Sequence, residues 1–162
     1  MNGSPELYTV LSNLNISFDY YEHPPTPTVE EAMIYWKDIE ATHCKNLFFR
    51  NHKGNRHYLV VFDHRKTLEV KMLEEKLRQG KLSFASAQRM ETHLGVTPGS
   101  VTPLAIINDA AKHVKLFLDM DIKRSEKVSF HPCINTASIV IKTADFIRFL
   151  DFIGNEYEWI EV

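Results

Sequence analysis

Short runs of branched and aromatic residues alternate along this chain with capped amphipathic segments, at irregular spacing. A regular strand–helix–strand repeat would indicate an all-parallel sheet. Irregular interleaving instead predicts an α+β fold with a mixed sheet flanked by helices. Ser4-Pro5-Glu6 reads as a helix start, with Leu7, Val10, Leu11 and Leu14 forming one apolar face. Ile16 to Glu22 reads as a strand ending at His23-Pro24-Pro25, and Thr28-Val29-Glu30-Glu31 as a capping box opening a helix to about Ile39. Leu47–Arg50 and Tyr58–Phe62 flank a glycine-containing turn and predict a hairpin. Helices are expected over Glu69–Gln79, closed by Gly80, and over Ser86–His93, ending at Gly95. Strands are expected at Leu104–Ile107, Val114–Leu118, Val128–Phe130, Ser138–Ile141 and Tyr157–Ile160, with Thr143 capping a helix over Ala144–Ile153.

At 162 residues the chain is expected to form one domain, 1–162, large enough to bury a core without staples. No apolar run approaches the roughly 20 residues of a membrane span, and Met1–Glu6 lacks the basic and apolar regions of a signal peptide. A reduced, cytoplasmic setting without membrane attachment is the expectation. Cys44 and Cys133 form neither a disulfide framework nor a zinc motif, and read as small buried hydrophobes. The net charge of −2 does not indicate a nucleic-acid partner. Its distribution does: between Lys45 and Lys66 the cations Lys45, Arg50, Lys53, Arg56, Arg65 and Lys66 meet one acid, Asp63. Such a stretch suits contact with a phosphate backbone, although Asn51–Arg56 reads equally well as a solvated hairpin tip.

Gly95–Pro103 holds two glycines and two prolines in nine residues. It reads either as a tight connection or as a stiff loop offering backbone N–H groups to an ester carbonyl or a phosphate. Lys45 lies at the start of an apolar strand, where a lysine either snorkels to water or serves a site. His131 stands at a strand end before Pro132, with Asn135 in the same turn. No serine or cysteine sits in a nucleophile motif, and the eight histidines contain no paired-ligand spacing, so neither cofactor nor metal is expected.

The order of Lys45, Gly99-Ser100-Val101-Thr102-Pro103 and His131 resembles the YbaK/prolyl-tRNA synthetase editing-domain family. Glu22-His23-Pro24-Pro25, Thr28–Ala32, His43–Phe48 and Gly99–Leu104 are most similar to its free-standing branch, which hydrolyses mischarged Ala-tRNA(Pro). The resemblance runs from about Leu7 to Gly154 and implies a partly closed, barrel-like sheet. It implies a catalytic set of Lys45, Gly99 and His131, and a substrate-binding set of Asn46, Ser100, Val101, Thr102, Pro103 and Asn135. His23 matches a family position and reads as structural. The tRNA(Pro) acceptor end is then the expected partner of Arg50, Lys53, Arg56, Arg65 and Lys66, with prolyl-tRNA synthetase or an elongation factor as the protein that delivers it. The implied chemistry is substrate-assisted attack of water on the ester. Ile34, Leu47 and Phe62 are candidates for the wall that excludes larger aminoacyl groups. Editing of Cys-tRNA(Pro) or another small aminoacyl-tRNA, and a non-catalytic RNA- or nucleotide-binding module of the same fold, are the alternatives.

Overall fold

One long strand, β2 (Thr42–Asn51), organises the molecule in the computed structural model, which describes residues 1–25 and 28–162. Seven strands follow the order β1 (Asp19–Glu22), β7 (Ala137–Lys142), β6 (Lys127–Phe130), β2, β3 (His57–Asp63), β5 (Val114–Asp119) and β8 (Tyr157–Ile160). The eighth, β4 (Leu82–Phe84), pairs with β2 outside that path. Pairing is parallel for β2–β6, β3–β5 and β5–β8 and antiparallel elsewhere, so the sheet is mixed. The path runs from β1 to β8 with its two ends unpaired to each other, among the described residues.

Side-chain alternation divides the interior in two. Cys44, Phe48, Leu59, Val61, Leu116 and Leu118 turn toward the main core, with Val128, Phe130, Ile139 and Ile141 from the other half of the sheet. Phe49, Tyr58, Val60, Phe62 and Phe117 turn the opposite way and pack under α3 (Val70–Leu77) with Leu73 and Leu77. Every residue of β3 is therefore buried, as expected for a central strand covered on both faces.

The helix starts follow their local signals. Ser4 Oγ accepts from Leu7 N–H (3.2 Å) at α1 (Pro5–Asn13), Thr28 Oγ1 from Glu31 N–H (3.2 Å) at α2 (Val29–Trp36), and Ser86 Oγ from Arg89 N–H (3.2 Å) at α4 (Ala87–Leu94). Other boundaries differ from the sequence expectation. α2 stops at Trp36 rather than Ile39, because Ile39 N–H turns back to Trp36 O (2.8 Å) and leads the chain into β2. Arg78, left-handed at φ 57°, closes α3 ahead of Gly80. Leu104–Ile107 is not a strand: Pro103–Asn108 forms a 3-10 helix, begun by Thr102 Oγ1 accepting from Leu104 N–H (3.3 Å). A short buried apolar run fits strand and helix equally, and Pro at the first position favours the helical turn. Thr143 is the first residue of α6 (Thr143–Ile153), not its cap, and its buried hydroxyl has no partner among the described residues. β4 and the single turn α5 (Met120–Lys123) carry too few residues to show a period.

Candidate active site

The two edges of β2 are treated differently. Toward β3 the ladder is continuous from Cys44 to Arg50. On the opposite edge β6 covers Thr42 and His43, β4 covers Phe49–Asn51, and no strand covers Cys44–Leu47 among the described residues. His43 O accepts from His64 N–H (2.9 Å) on the β3 side, and Phe48 O accepts from Ala85 N–H (2.9 Å) on the other. The intervening alternation aims the main-chain groups of Cys44 and Asn46 into the gap. A cleft of about 390 Å³ opens there. α2 borders it with Thr28, Val29, Glu30, Ala32 and Trp36, and β2 with Cys44–Phe48. Phe84, Met90, Pro98, Gly99, Val101 and His131 complete it.

Lys45 and Asn46 leave the strand on opposite faces, and the missing neighbour strand lets both border the cleft. Lys45 is exposed and forms no ion pair among the described residues. Asn46 Oδ1 is buried without a hydrogen-bond partner among the described residues, an acceptor that can take a ligand's N–H or O–H. Thr97–Ser100 is a β-turn closed by Ser100 N–H to Thr97 O (3.0 Å), with Pro98 second and Gly99 third at φ 88°. That is the type II pattern, which requires a positive φ at Gly99. It leaves the Gly99 N–H outside the turn's own hydrogen bond. His131 Nδ1 donates to Ala137 O (2.8 Å), which makes Nε2 the acceptor nitrogen of the neutral ring. Burial holds its pKa below the ordinary 6.5, against the opposing pull of the Ala137 carbonyl.

Lys45, Asn46, Gly99, Val101 and His131 thus come together at one cleft. Ser100, Thr102 and Pro103 are buried beneath it and build the loop and the 3-10 helix. Asn135 lies in the turn before β7, outside the lining residues. Of the three candidates for the wall, Leu47 lines the cleft, Phe62 is buried in the core under α3, and Ile34 is 64% exposed on α2 outside the lining. Trp36, Phe84 and Met90 also line the cleft without any sign of it in the sequence, because they are far apart in the chain and carry no motif. His23, read from the sequence as structural, is buried with its ring nitrogens 2.9 Å from Ser138 Oγ and from Pro24 O.

Neither thiol is set up as a nucleophile. Burial drives Cys44 well above its ordinary pKa and pushes Cys133 up to about 12. The basic stretch also divides in space. Arg65 forms a fork with Asp63 (2.6 and 3.1 Å), and Lys66 Nζ reaches Asp119 (2.9 Å) and Asp121 (2.8 Å). The cations that cluster along the sequence are therefore not a single positive face. Arg50, Lys53 and Arg56 form no ion pair among the described residues. Arg50 donates to the Asn51 and His52 carbonyls (both 3.2 Å), and Asn51 Oδ1 accepts from the N–H groups of Asn55 and Arg56 (3.1 Å each), which shapes the hairpin tip.

A mixed sheet whose pairing is interrupted at a lysine-bearing strand, with a proline–glycine turn facing the gap, defines a class of α+β domain with a cleft at an open strand edge. The aminoacyl-tRNA editing domain model matches residues 23–149. The prolyl-tRNA editing protein ProX of Acetoanaerobium sticklandii is 34% identical over all of this chain and 99% of its own length. The prolyl-tRNA synthetase associated domain-containing protein 1 of Bos taurus is 34% identical over 90% of this chain and 87% of its own. Among solved structures, hypothetical protein APE2540 superposes with a TM-score of 0.73 at 19% identity, over 96% of this chain and 98% of that one. A candidate trans-editing enzyme for prolyl tRNA synthetase gives 0.71 at 19%, over 99% of each. The chain belongs to the aminoacyl-tRNA editing domain family, and is a deacylase by class.

Proposed function

We propose that this protein acts in trans on mischarged tRNA(Pro), hydrolysing the ester of Ala-tRNA(Pro) by direct attack of water. The observation that carries this reading is the gap in the pairing of β2, where Lys45, Asn46, the Gly99 turn and His131 border one cleft with no nucleophile–base pair among the described residues. The names of the free-standing relatives support tRNA(Pro) as the carrier.

Water attacks the ester carbonyl carbon, and the electron pair moves onto the carbonyl oxygen, where the Gly99 N–H stabilises the developing charge. Collapse expels the ribose 3′ oxygen, which takes a proton, and frees alanine. The neighbouring 2′-hydroxyl, positioned by the cleft, assists the proton transfers that no protein base performs. Lys45 anchors the terminal nucleotide, Asn46 Oδ1 accepts from the substrate, and His131 Nε2 orients water or the amino group. The cleft rejects aminoacyl groups larger than alanine by exclusion, whereas one methyl gives only about 1–3 kcal/mol of discrimination against glycine. Lys53 and Arg56 meet phosphates of the single-stranded acceptor end. At ~3.3 Å per residue along β2 the hairpin tip stands about 20 Å from Lys45, several nucleotides away. Prolyl-tRNA synthetase or an elongation factor is the proposed source of the tRNA.

Deacylation of separately prepared Ala-, Cys-, Ser- and Pro-tRNA(Pro) tests the substrate. Fast release of alanine with Pro-tRNA(Pro) spared is expected; preferential release of cysteine would move the specificity, and release of none would remove the catalytic reading. Ala-tRNA(Pro) ending in 2′-deoxyadenosine tests the mechanism and should turn over far more slowly, whereas an alanyl-enzyme trapped on Ser100 or Cys133 would refute water as the nucleophile.

A further inference from the structure

Three histidines with no ligand spacing in the sequence meet outside the cleft. His57 opens β3, His113 directly precedes β5, and His93 lies in the last turn of α4. β3 and β5 are parallel neighbours with His57 opposite Val114, so the sheet register itself brings His113 beside His57. His57 Nδ1 and His113 Nε2 lie 2.8 Å apart, and the His93 ring stands 4.1 Å from that of His57 and 4.6 Å from that of His113, centre to centre. One nitrogen from each of the three falls within 4.8 Å of the others. His57 is buried, while His93 and His113 are half-exposed, which leaves an ion a way in.

We propose that His57, His93 and His113 bind one divalent transition-metal ion, zinc foremost, with water completing a tetrahedral shell. Three imidazoles without a thiolate or a bridging carboxylate suit zinc and its neighbours rather than calcium or magnesium. Zinc–nitrogen bonds of 2.0–2.1 Å place tetrahedral ligands about 3.3 Å apart. The His57–His113 pair must therefore open slightly and His93 must close in, rotations available to half-exposed side chains.

Arg89 opposes this arrangement. Its Nη1 donates to Gly54 O (2.8 Å) and, a guanidinium having no acceptor, also to His57 Nε2 (3.0 Å). That donation keeps the His57 proton on Nδ1, the atom the ion needs. Binding moves the proton to Nε2 and displaces Arg89, because a ligating imidazole needs an acceptor behind it. The site ties β3 and β5 to α4, two residues before Gly95, where the loop carrying Gly99 begins. The Phe48 ring stacks on His57 at 5.5 Å and lines the cleft from the other side. An ion there would fasten one anchor of the Gly99 loop.

The test is titration of chelator-treated protein with cobalt(II), read by the visible bands of tetrahedral cobalt, followed by displacement with zinc. One ion per chain and a zinc-dependent rise in melting temperature are expected. His93→Gln and His113→Gln, chosen because these side chains are half-exposed, should each weaken binding at least tenfold while remaining folded, and Arg89→Gln should tighten it by roughly tenfold. Absence of stoichiometric binding to the wild type, or binding unchanged in both histidine variants but lost in His64→Gln, would overturn the assignment. An Arg89→Gln variant that binds no more tightly would overturn Nδ1 as the ligating atom. The readout is independent of deacylation.

Discussion

The two edges of β2 carry the same main chain to opposite ends. Toward β3 every residue from Cys44 to Arg50 has a strand partner, and β3 itself is buried on both faces. Away from β3 the pairing breaks over Cys44–Leu47 among the described residues, and the cleft fills the space. An unpaired stretch within a sheet is costly in the dry interior but tolerable where water or a ligand can satisfy it. The closed edge therefore supplies the stability that lets the open edge stay unmade. Stability and activity should respond to substitution on different sides of one strand.

The largest expected effect breaks that comparison most directly. Lys45→Ala should lower kcat/KM for Ala-tRNA(Pro) by about 10²-fold, the scale for misplacing an ester whose terminal nucleotide is no longer anchored. Its melting temperature should stay near that of the wild type, as for an exposed position. Lys45→Arg should rescue only in part, since a planar guanidinium does not replace a compact ammonium. Phe62→Ala, across the ladder from Lys45, should do the reverse. It removes a fully buried ring, costs about 3–5 kcal/mol in denaturant unfolding, and leaves turnover per folded molecule unchanged. Wild-type activity in folded Lys45→Ala, or an inactive but stable Phe62→Ala, would contradict the division.

Gly99→Val comes next. At φ 88° a branched residue is strained by about 1–3 kcal/mol, at a position that lines the cleft. Turnover should fall with a modest loss of stability; global unfolding would make the turn a structural connection only.

A smaller effect separates the two groups of cations. Changing Lys53 and Arg56 together to Gln should weaken tRNA binding and flatten its salt dependence. The slope should change by about 0.7 for each phosphate of a single-stranded end that is no longer neutralised. Arg65→Gln and Lys66→Gln break ion pairs with Asp63, Asp119 and Asp121, so thermal melts should register them before binding does. Equal falls in affinity from both groups would restore the basic stretch as one surface.

The smallest effect is a pH profile that barely moves. Burial lowers the His131 pKa, so the neutral ring with Nε2 as acceptor persists below the ordinary 6.5. The unfolded chain binds this proton at higher pH than the folded one, so the contribution of His131 to stability rises with pH and is lost as pH falls through the depressed value. After correction for spontaneous ester hydrolysis, deacylation should show no histidine-like fall until pH is below 6.5. A midpoint at or above 6.5 that disappears in His131→Gln would give the ring a protonated role.

The sequence alone determined whatever is settled within a few residues. Ser4, Thr28 and Ser86 cap helices because their hydroxyls reach an N–H three positions on. Gly99 marks its turn because few other residues tolerate its φ. The blocks around Lys45, Gly99 and His131 showed the family by their order. Tertiary structure decided the rest, because strand pairing and burial depend on residues far apart in the chain. Nothing near Cys44–Leu47 shows that β4 and β6 leave that edge uncovered, or that Trp36 and Met90 will border the gap. Asp119 and Asp121 neutralise Lys66 from more than fifty residues away. The register of β3 on β5 sets His57 beside His113, and only the packing of α4 brings His93 to them. Local conformation follows from covalent neighbours; a site follows from which surfaces the chain buries against each other.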